Sequence, residues 1–199
     1  GGKSATRSYV YDTNQRLCKT IEPEVGATIQ NYDSSNNISW KAVSSTLTTL
    51  ACNRSSVPSA RKVSYAYDHA QRLVKTSFVA NSTTITIDRT YTADGLPNTV
   101  TASNFGSTWT SAYNKRRLLI SDTLSYNSTN YALNYSYTSD GYLNSITYPD
   151  NKVVTYTPNA LGQASQVSNY ATNINYHPNG AVAGFIYGNG IAHTMTQNA

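Results

Sequence analysis

One tyrosine pattern recurs through nearly the whole chain, and it constrains the fold more than any other feature of the 199 residues. With Tyr11, Tyr32, Tyr67, Tyr91, Tyr113, Tyr137 and Tyr176 as anchors, the residues six places on are Leu17, Ile38, Leu73, Pro97, Leu119, Leu143 and Val182. Six of those seven are Val, Ile or Leu, types that supply 33 of the 199 residues, whereas chance would place about one. Between anchor and aliphatic lie turn formers, among them Ala93-Asp94-Gly95, Ser139-Asp140-Gly141 and Pro178-Asn179-Gly180. Asp-Gly or Asn-Gly between apolar flanks is a hairpin signal. Tyr9 and Tyr11, Tyr65 and Tyr67, and Tyr135 and Tyr137 stand two apart, which in a strand puts both rings on one face. Each unit therefore reads as a β-hairpin with an aromatic stripe, and a lone hairpin is marginal, so the units must stack side by side.

Composition agrees. Ser, Thr and Asn number 24, 26 and 21, Tyr adds 17, and only 13% of residues are charged. Thr and Tyr suit a pleated surface, and Asn and Ser suit turns. Glu occurs only at Glu22 and Glu24, which excludes a helical bundle, and 11% aromatic residues with a formal charge of +5 argue against disorder. The expectation is an all-β fold of stacked antiparallel hairpins forming a long curved sheet. Residues 1–7 read as a linker or cloning scar and 8–199 as a single domain, with a long inserted connection at about 39–62. Tyr156-Thr-Pro-Asn-Ala-Leu-Gly-Gln163 reads as a degenerate unit. No run approaches the roughly 20 apolar residues of a membrane-spanning helix, so no membrane insertion is expected. Residues 153–199 carry no Asp, Glu, Lys or Arg, and this end reads as part of something larger. Alternation is polar and aromatic on both strand faces, so the sequence does not choose which face is inward.

The motif Y-x-Y-D-x-x-x-R-L stands here as Tyr9-Val-Tyr-Asp-Thr-Asn-Gln-Arg-Leu17 and again as Tyr65-Ala-Tyr-Asp-His-Ala-Gln-Arg-Leu73. It resembles the YD repeat of the RHS proteins, and Ile146-Thr-Tyr-Pro-Asp-Asn-Lys152 and Tyr187-Gly-Asn-Gly-Ile191 resemble that family's inter-repeat segments. The resemblance covers roughly residues 8–199. It implies a segment of a spiral shell that encloses a toxin or other cargo domain of a large secreted or cell-surface protein. Relatives include bacterial polymorphic toxins, shell subunits of insecticidal toxin complexes and teneurins. The partners it implies are the remaining repeats and the cargo of the parent chain. The family's glycine four residues after the anchor is Gln15, Asn36, Gln71 and Arg117 in four units, and Pro97 replaces one aliphatic. Those units have different turns, or hold a left-handed non-glycine residue at a cost of about 1–2 kcal/mol.

Chemistry finds little purchase. There is no G-x-S-x-G, no phosphate-binding glycine loop and no H-E-x-x-H, and His69, His177 and His193 have no motif partners. Asp12, Asp33 and Asp68 fill equivalent slots directly after their anchors, so they read as servants of the repeat, with Asp12–Arg16 and Asp68–Arg72 bridging turns. No Asp-Pro occurs, so self-cleavage of the kind seen in the family's toxin shells is not expected. No enzyme activity, cofactor or metal is expected. Lys115-Arg116-Arg117 reads as a solvated turn, and no nucleic-acid partner is expected because the other cations are scattered. A cell-surface glycan is the alternative partner, since exposed tyrosines stack on sugars. Edge strands make self-association possible. Cys18 and Cys52 are a candidate disulfide pinning the insertion to the sheet, with two buried thiols as the alternative. The N-x-S/T sequons at Asn37, Asn53, Asn81, Asn127 and Asn134 match what composition alone yields.

Overall fold

The turn that follows each anchor sets the architecture. In the computed structural model, which describes residues 5–197, the amide of Gln15 donates to Asp12 O at 2.9 Å and that of Asp12 to Arg16 O at 2.8 Å. The same two bonds recur at Asp33–Asn37, Asp68–Arg72, Thr92–Leu96, Asn114–Leu118, Thr138–Tyr142 and His177–Ala181. In each turn the fourth residue after the anchor has positive φ. This is a tight loop closed by one left-handed residue, with a bulge that steps the register and joins two antiparallel strands.

The described residues form two compact units, which divide between Ser107 and Thr108. The first holds β1 (Ser8–Tyr11), β2 (Leu17–Glu22), β3 (Gly26–Tyr32), β4 (Ile38–Ser44), β5 (Val63–Tyr67), β6 (Leu73–Ala80), β7 (Thr83–Tyr91) and β8 (Pro97–Ala102). These pair antiparallel in sequence order. The second is built from β9 (Ser107–Tyr113), β10 (Leu119–Tyr126), β11 (Thr129–Tyr137), β12 (Leu143–Thr147) and β13 (Val153–Thr155), again in order. A separate three-stranded sheet follows, of β14 (Ala171–Tyr176), β15 (Val182–Tyr187) and β16 (Ala192–Thr194). The fold is all-β, with no α-helix among the described residues. None of these residues lies in a helix long and apolar enough to cross a membrane.

Anchor and aliphatic are cross-strand partners. Tyr11 faces Leu17, Tyr32 faces Ile38, Tyr67 faces Leu73, Tyr91 faces Pro97, Tyr137 faces Leu143 and Tyr176 faces Val182, each beside a register shift. Two details differ from the sequence reading. The first residues of the supposed insertion form β4, so the connection proper is 45–62, with short 3₁₀ turns at Arg54–Ser56 and Ser59–Arg61. In the degenerate unit the anchor slot belongs to Pro158, which bridges Ala164, and not to Tyr156.

The faces left open by the sequence are distinct in the structure. In β2–β4 the rows Lys19–Ile29–Ala42 and Ile21–Ala27–Ser44 share one face. The connection covers that face, with Val57 joining the buried cluster of Ala27, Ile29 and Ala42 and with Leu47 packed against it. In β5–β8 the row Tyr65–Thr76–Ile87–Ala102 and the pair Phe78–Ile85 lie on one face, and Lys75–Asp88–Thr101 and Ser77–Thr86 on the other. In the second unit Leu124–Tyr131 and Tyr135–Ile146–Val154 oppose a face of Ser121–Asn134–Thr147 and Ser136–Ser145–Thr155. Apolar residues thus gather on one side and hydroxyls and amides on the other.

The four units without the family's glycine keep the same turn. Gln15, Asn36, Gln71 and Arg117 sit at φ of 59°, 66°, 59° and 64°. Gln71 thus bears left-handed strain that a glycine would not, offset in part by glycine's larger loss of chain entropy. Gln71→Gly is expected to raise stability by about 0.5–1 kcal/mol in urea denaturation followed by circular dichroism.

Candidate functional site

The acidic slot of the repeat caps the turn. Asp12 Oδ1 accepts the amides of Asn14 and Arg16, Asp33 Oδ1 those of Ser35 and Asn37, and Asp68 Oδ1 those of Ala70 and Arg72. Asn114 and Asn159 do the same with their amide oxygens, and all ten bonds are 2.9 to 3.1 Å. The side chain thereby mimics a turn of backbone. Four of these five doubly capped turns carry the non-glycine left-handed residue, whereas Thr92 and Thr138, whose hydroxyls each accept one turn amide, precede Gly95 and Gly141. The exception, Asn159, precedes Gly162, where a Cβ would come within 2.5 Å of the Tyr142 ring. Glycine is needed there for a close approach, not only for its backbone angle.

The anchor hydroxyls tie one hairpin to the one before it. Tyr32 Oη donates to Leu17 O at 2.8 Å, Tyr67 Oη to Ile38 O at 3.1 Å and Tyr91 Oη to Leu73 O at 2.9 Å. In the second unit Tyr137 Oη donates to Leu119 O at 2.7 Å and Tyr176 Oη to Ala164 O at 2.8 Å. Every acceptor is the carbonyl of the preceding unit's position six. Tyr11 is 60% exposed and Tyr113 closes β9 ahead of the turn that leads to Leu119.

The arginine of the motif works in both directions. Arg16 Nε donates to Asp12 Oδ2 at 3.1 Å while its guanidinium lies 4.7 Å from the centre of the Tyr32 ring. Arg72 Nε donates to Asp68 Oδ2 at 2.7 Å and lies 4.5 Å from the Tyr91 ring. Each arginine fastens its own turn and covers the next anchor. Arg116 of the basic triplet donates to Ser139 O at 2.5 Å and Asp140 O at 2.9 Å, so it fastens the following turn.

The connection 45–62 is held by residues the motif does not announce. Cys18, fully buried, is disulfide-bonded to Cys52, a closure over 34 residues that a chain-entropy model values at about 3–4 kcal/mol. Lys19 is also fully buried, and its ammonium donates to Leu47 O at 3.0 Å, Thr49 O at 2.9 Å and Asn53 Oδ1. Three donors thus meet three oxygens, although burial pushes the Lys19 pKa down. Arg54 donates to Gln30 O at 3.0 Å and to Asp12 Oδ2 at 2.9 Å. Sequence reading passed over Lys19 and Arg54. The one available signal was that Lys19 shares strand parity with Ile21, an inward slot.

The histidines stay apart in role. His69 lies in a turn, His177 Nε2 is 2.9 Å from Met195 O, and His193 packs on Phe185 and Tyr187. Among the described residues no group of three or more His, Cys, Asp or Glu side chains could hold a metal. An open cleft of about 570 Å³ is lined by Tyr148, Asp150, Lys152, Tyr156 and Tyr170 among others, with the Lys152 ammonium over the Tyr170 ring.

A crystal structure of TcdB2-TccC3 without its hypervariable C-terminal region shares this arrangement at a TM-score of 0.71, matching 96% of this chain and 10% of that one at 10% identity. The chain has the fold expected of an RHS-repeat sheet. A TcdB2-TccC3 crystal structure (14% identity, 94% of this chain, 12% of that one, TM-score 0.44) superposes loosely. So does the Photorhabdus luminescens Tc holotoxin pore (15%, 92%, 12% and 0.42). This chain spans about a tenth of the length of the solved chains it matches. No family model and no curated protein matches the sequence.

Tyr67→Phe keeps the ring and removes the bond to Ile38 O, so it is expected to cost about 1 kcal/mol in urea denaturation. Acid supplies a second test. Burial opposes ionisation of Asp12, but the Arg16 amide, the Arg54 and Arg16 guanidinium groups and the Asn14 amide outweigh it and hold the carboxyl well below the usual range. Hydrogen bonds from the Arg72 amide and guanidinium lower Asp68 likewise. Their stabilisation is complete above the unfolded-state value near 4 and is lost as pH falls toward the lower folded values, because the unfolded chain takes up protons first. Asp68→Asn is therefore expected to lower stability at pH 7 and to flatten its decline between about pH 4 and pH 2.

Proposed function

We propose that this chain is a non-enzymatic segment of an RHS shell, whose work is to enclose and shield a cargo domain of a large secreted or surface-delivered protein. The observation that carries the reading is the ladder from anchor hydroxyl to the preceding carbonyl, on a sheet with the fold of a TcdB2-TccC3 chain. A repeating contact of this kind passes from hairpin to hairpin without a natural end, which suits a wall made longer by repetition. The relative is described as having a hypervariable C-terminal region, the kind of variable passenger a constant wall would serve. The partners are then the neighbouring repeats, which pair through strand edges, and the enclosed region.

The second reading, an adhesion or carbohydrate-binding module, rests on the cleft beside Tyr148 and Tyr170, exposed by 38% and 50%. One experiment separates the two. In the protein encoded by the complete native gene, the region C-terminal to the repeats is expected to resist protease while the wall is intact. It should become at least tenfold more sensitive when Tyr67→Ala and Tyr137→Ala break the ladder. Digestion at the same rate with and without those substitutions would overturn the shell reading, and saturable glycan binding abolished by Tyr148→Ala would replace it with the second.

A further inference from the structure

We infer that the connection 45–62 is a redox-released cover, latched over β2–β4 by Cys18–Cys52 and set free when that bond is reduced. The inference is independent of the shell reading.

The connection closes the one cluster of buried apolar side chains among the described residues, Ala27, Ile29, Ala42 and Val57, and Val57 is its one fully buried apolar contribution. Leu47 packs against the same cluster while only partly buried, and the other noncovalent attachments are polar. Lys19 reaches two of its carbonyls and Asn53, and Arg54 reaches back to Gln30 O and Asp12. Water can take over each of these hydrogen bonds once the segment lifts. The disulfide is the attachment that water cannot replace, and its two sulfurs differ in access. Cys18 is fully buried, whereas Cys52 is partly exposed at the surface of the connection.

This asymmetry gives the reaction a direction. A thiolate of a dithiol reductant attacks Cys52 Sγ, the Cys18 sulfur leaves as thiolate, and the reductant's second thiol displaces Cys52. The reductant becomes a disulfide, two electrons pass to the protein, and both cysteines end as thiols. With the latch open, the chain-entropy constraint on the 34-residue closure disappears. The strands beneath keep their ladder, since no anchor hydroxyl bond runs through 45–62. Strand structure therefore outlasts the cover. In an oxidising exterior the face stays closed, and in a reducing compartment it opens.

Arg54 provides the readout. Its guanidinium is fastened to Asp12 and Gln30, so trypsin cannot take it while the cover is seated. The intact chain is incubated with dithiothreitol, complete reduction is checked by alkylation, and cleavage after Arg54 is followed by mass spectrometry alongside far-ultraviolet circular dichroism. Cleavage there is expected to rise at least tenfold with the strand signal unchanged, and Cys52→Ser without reductant should match the reduced chain. A change of less than twofold in fully reduced protein would overturn the inference. So would loss of the strand signal in step with cleavage, which would make the bond a staple of the whole unit. Because reduction is performed on the folded wild-type chain, a poorly folding variant does not remove the test.

Discussion

The hydrogen bond from Tyr32, Tyr67, Tyr91, Tyr137 and Tyr176 to the carbonyl six places after the previous anchor is the interaction on which the rest of the structure depends. A hairpin made by a tight turn can exist anywhere, and its position relative to the next is set by strand pairing, as between β2 and β3 or β6 and β7, together with this bond. The hydroxyl of Tyr67 on Ile38 O, and that of Tyr91 on Leu73 O, fix it at the turn end of each strand pair. The ring occupies the space beside the aliphatic partner, and the polar tip satisfies a carbonyl, which is why tyrosine serves here and phenylalanine, present only three times, does not.

The turn and the ladder share their parts. The aspartate after the anchor caps its own turn, the arginine at the turn's end pairs with that aspartate, and the same guanidinium lies over the next ring. A change at one of these positions is therefore felt by two hairpins. Capping also explains which turns dispense with glycine. Where a carboxylate or amide holds two turn amides, a glutamine or arginine is tolerated at positive φ, and where a threonine holds one, glycine stands. Local strain is absorbed by local hydrogen bonds.

The region under 45–62 follows another logic. There the sheet buries side chains fully, a lysine is enclosed by three oxygens, and a disulfide crosses from strand to connection. Elsewhere in the strip both faces stay half-exposed, with apolar side chains on one and hydroxyls on the other. The strand registers produce that difference between the faces.

How much of this was legible in the residues is clear from particular positions. Tyr11 to Leu17 and Tyr65 to Leu73 spell a hairpin unaided, because anchor, cap, arginine and aliphatic act within nine residues. The pairing of Tyr67 with Leu73 and the Asp68–Arg72 bridge follow from that local spacing. The partner of the Tyr67 hydroxyl, Ile38 O, lies 29 residues away and is set by how two hairpins stack. The burial of Lys19 likewise depends on oxygens brought from 28 to 34 residues downstream. Asymmetry of the faces was hidden too, because bulges beside anchors such as Tyr11 and Tyr67 shift the register and break simple alternation. Sequence determined the repeating unit, since its forces are short-range. Only the tertiary structure decided what each unit touches, since that depends on register and on where a connection comes to rest.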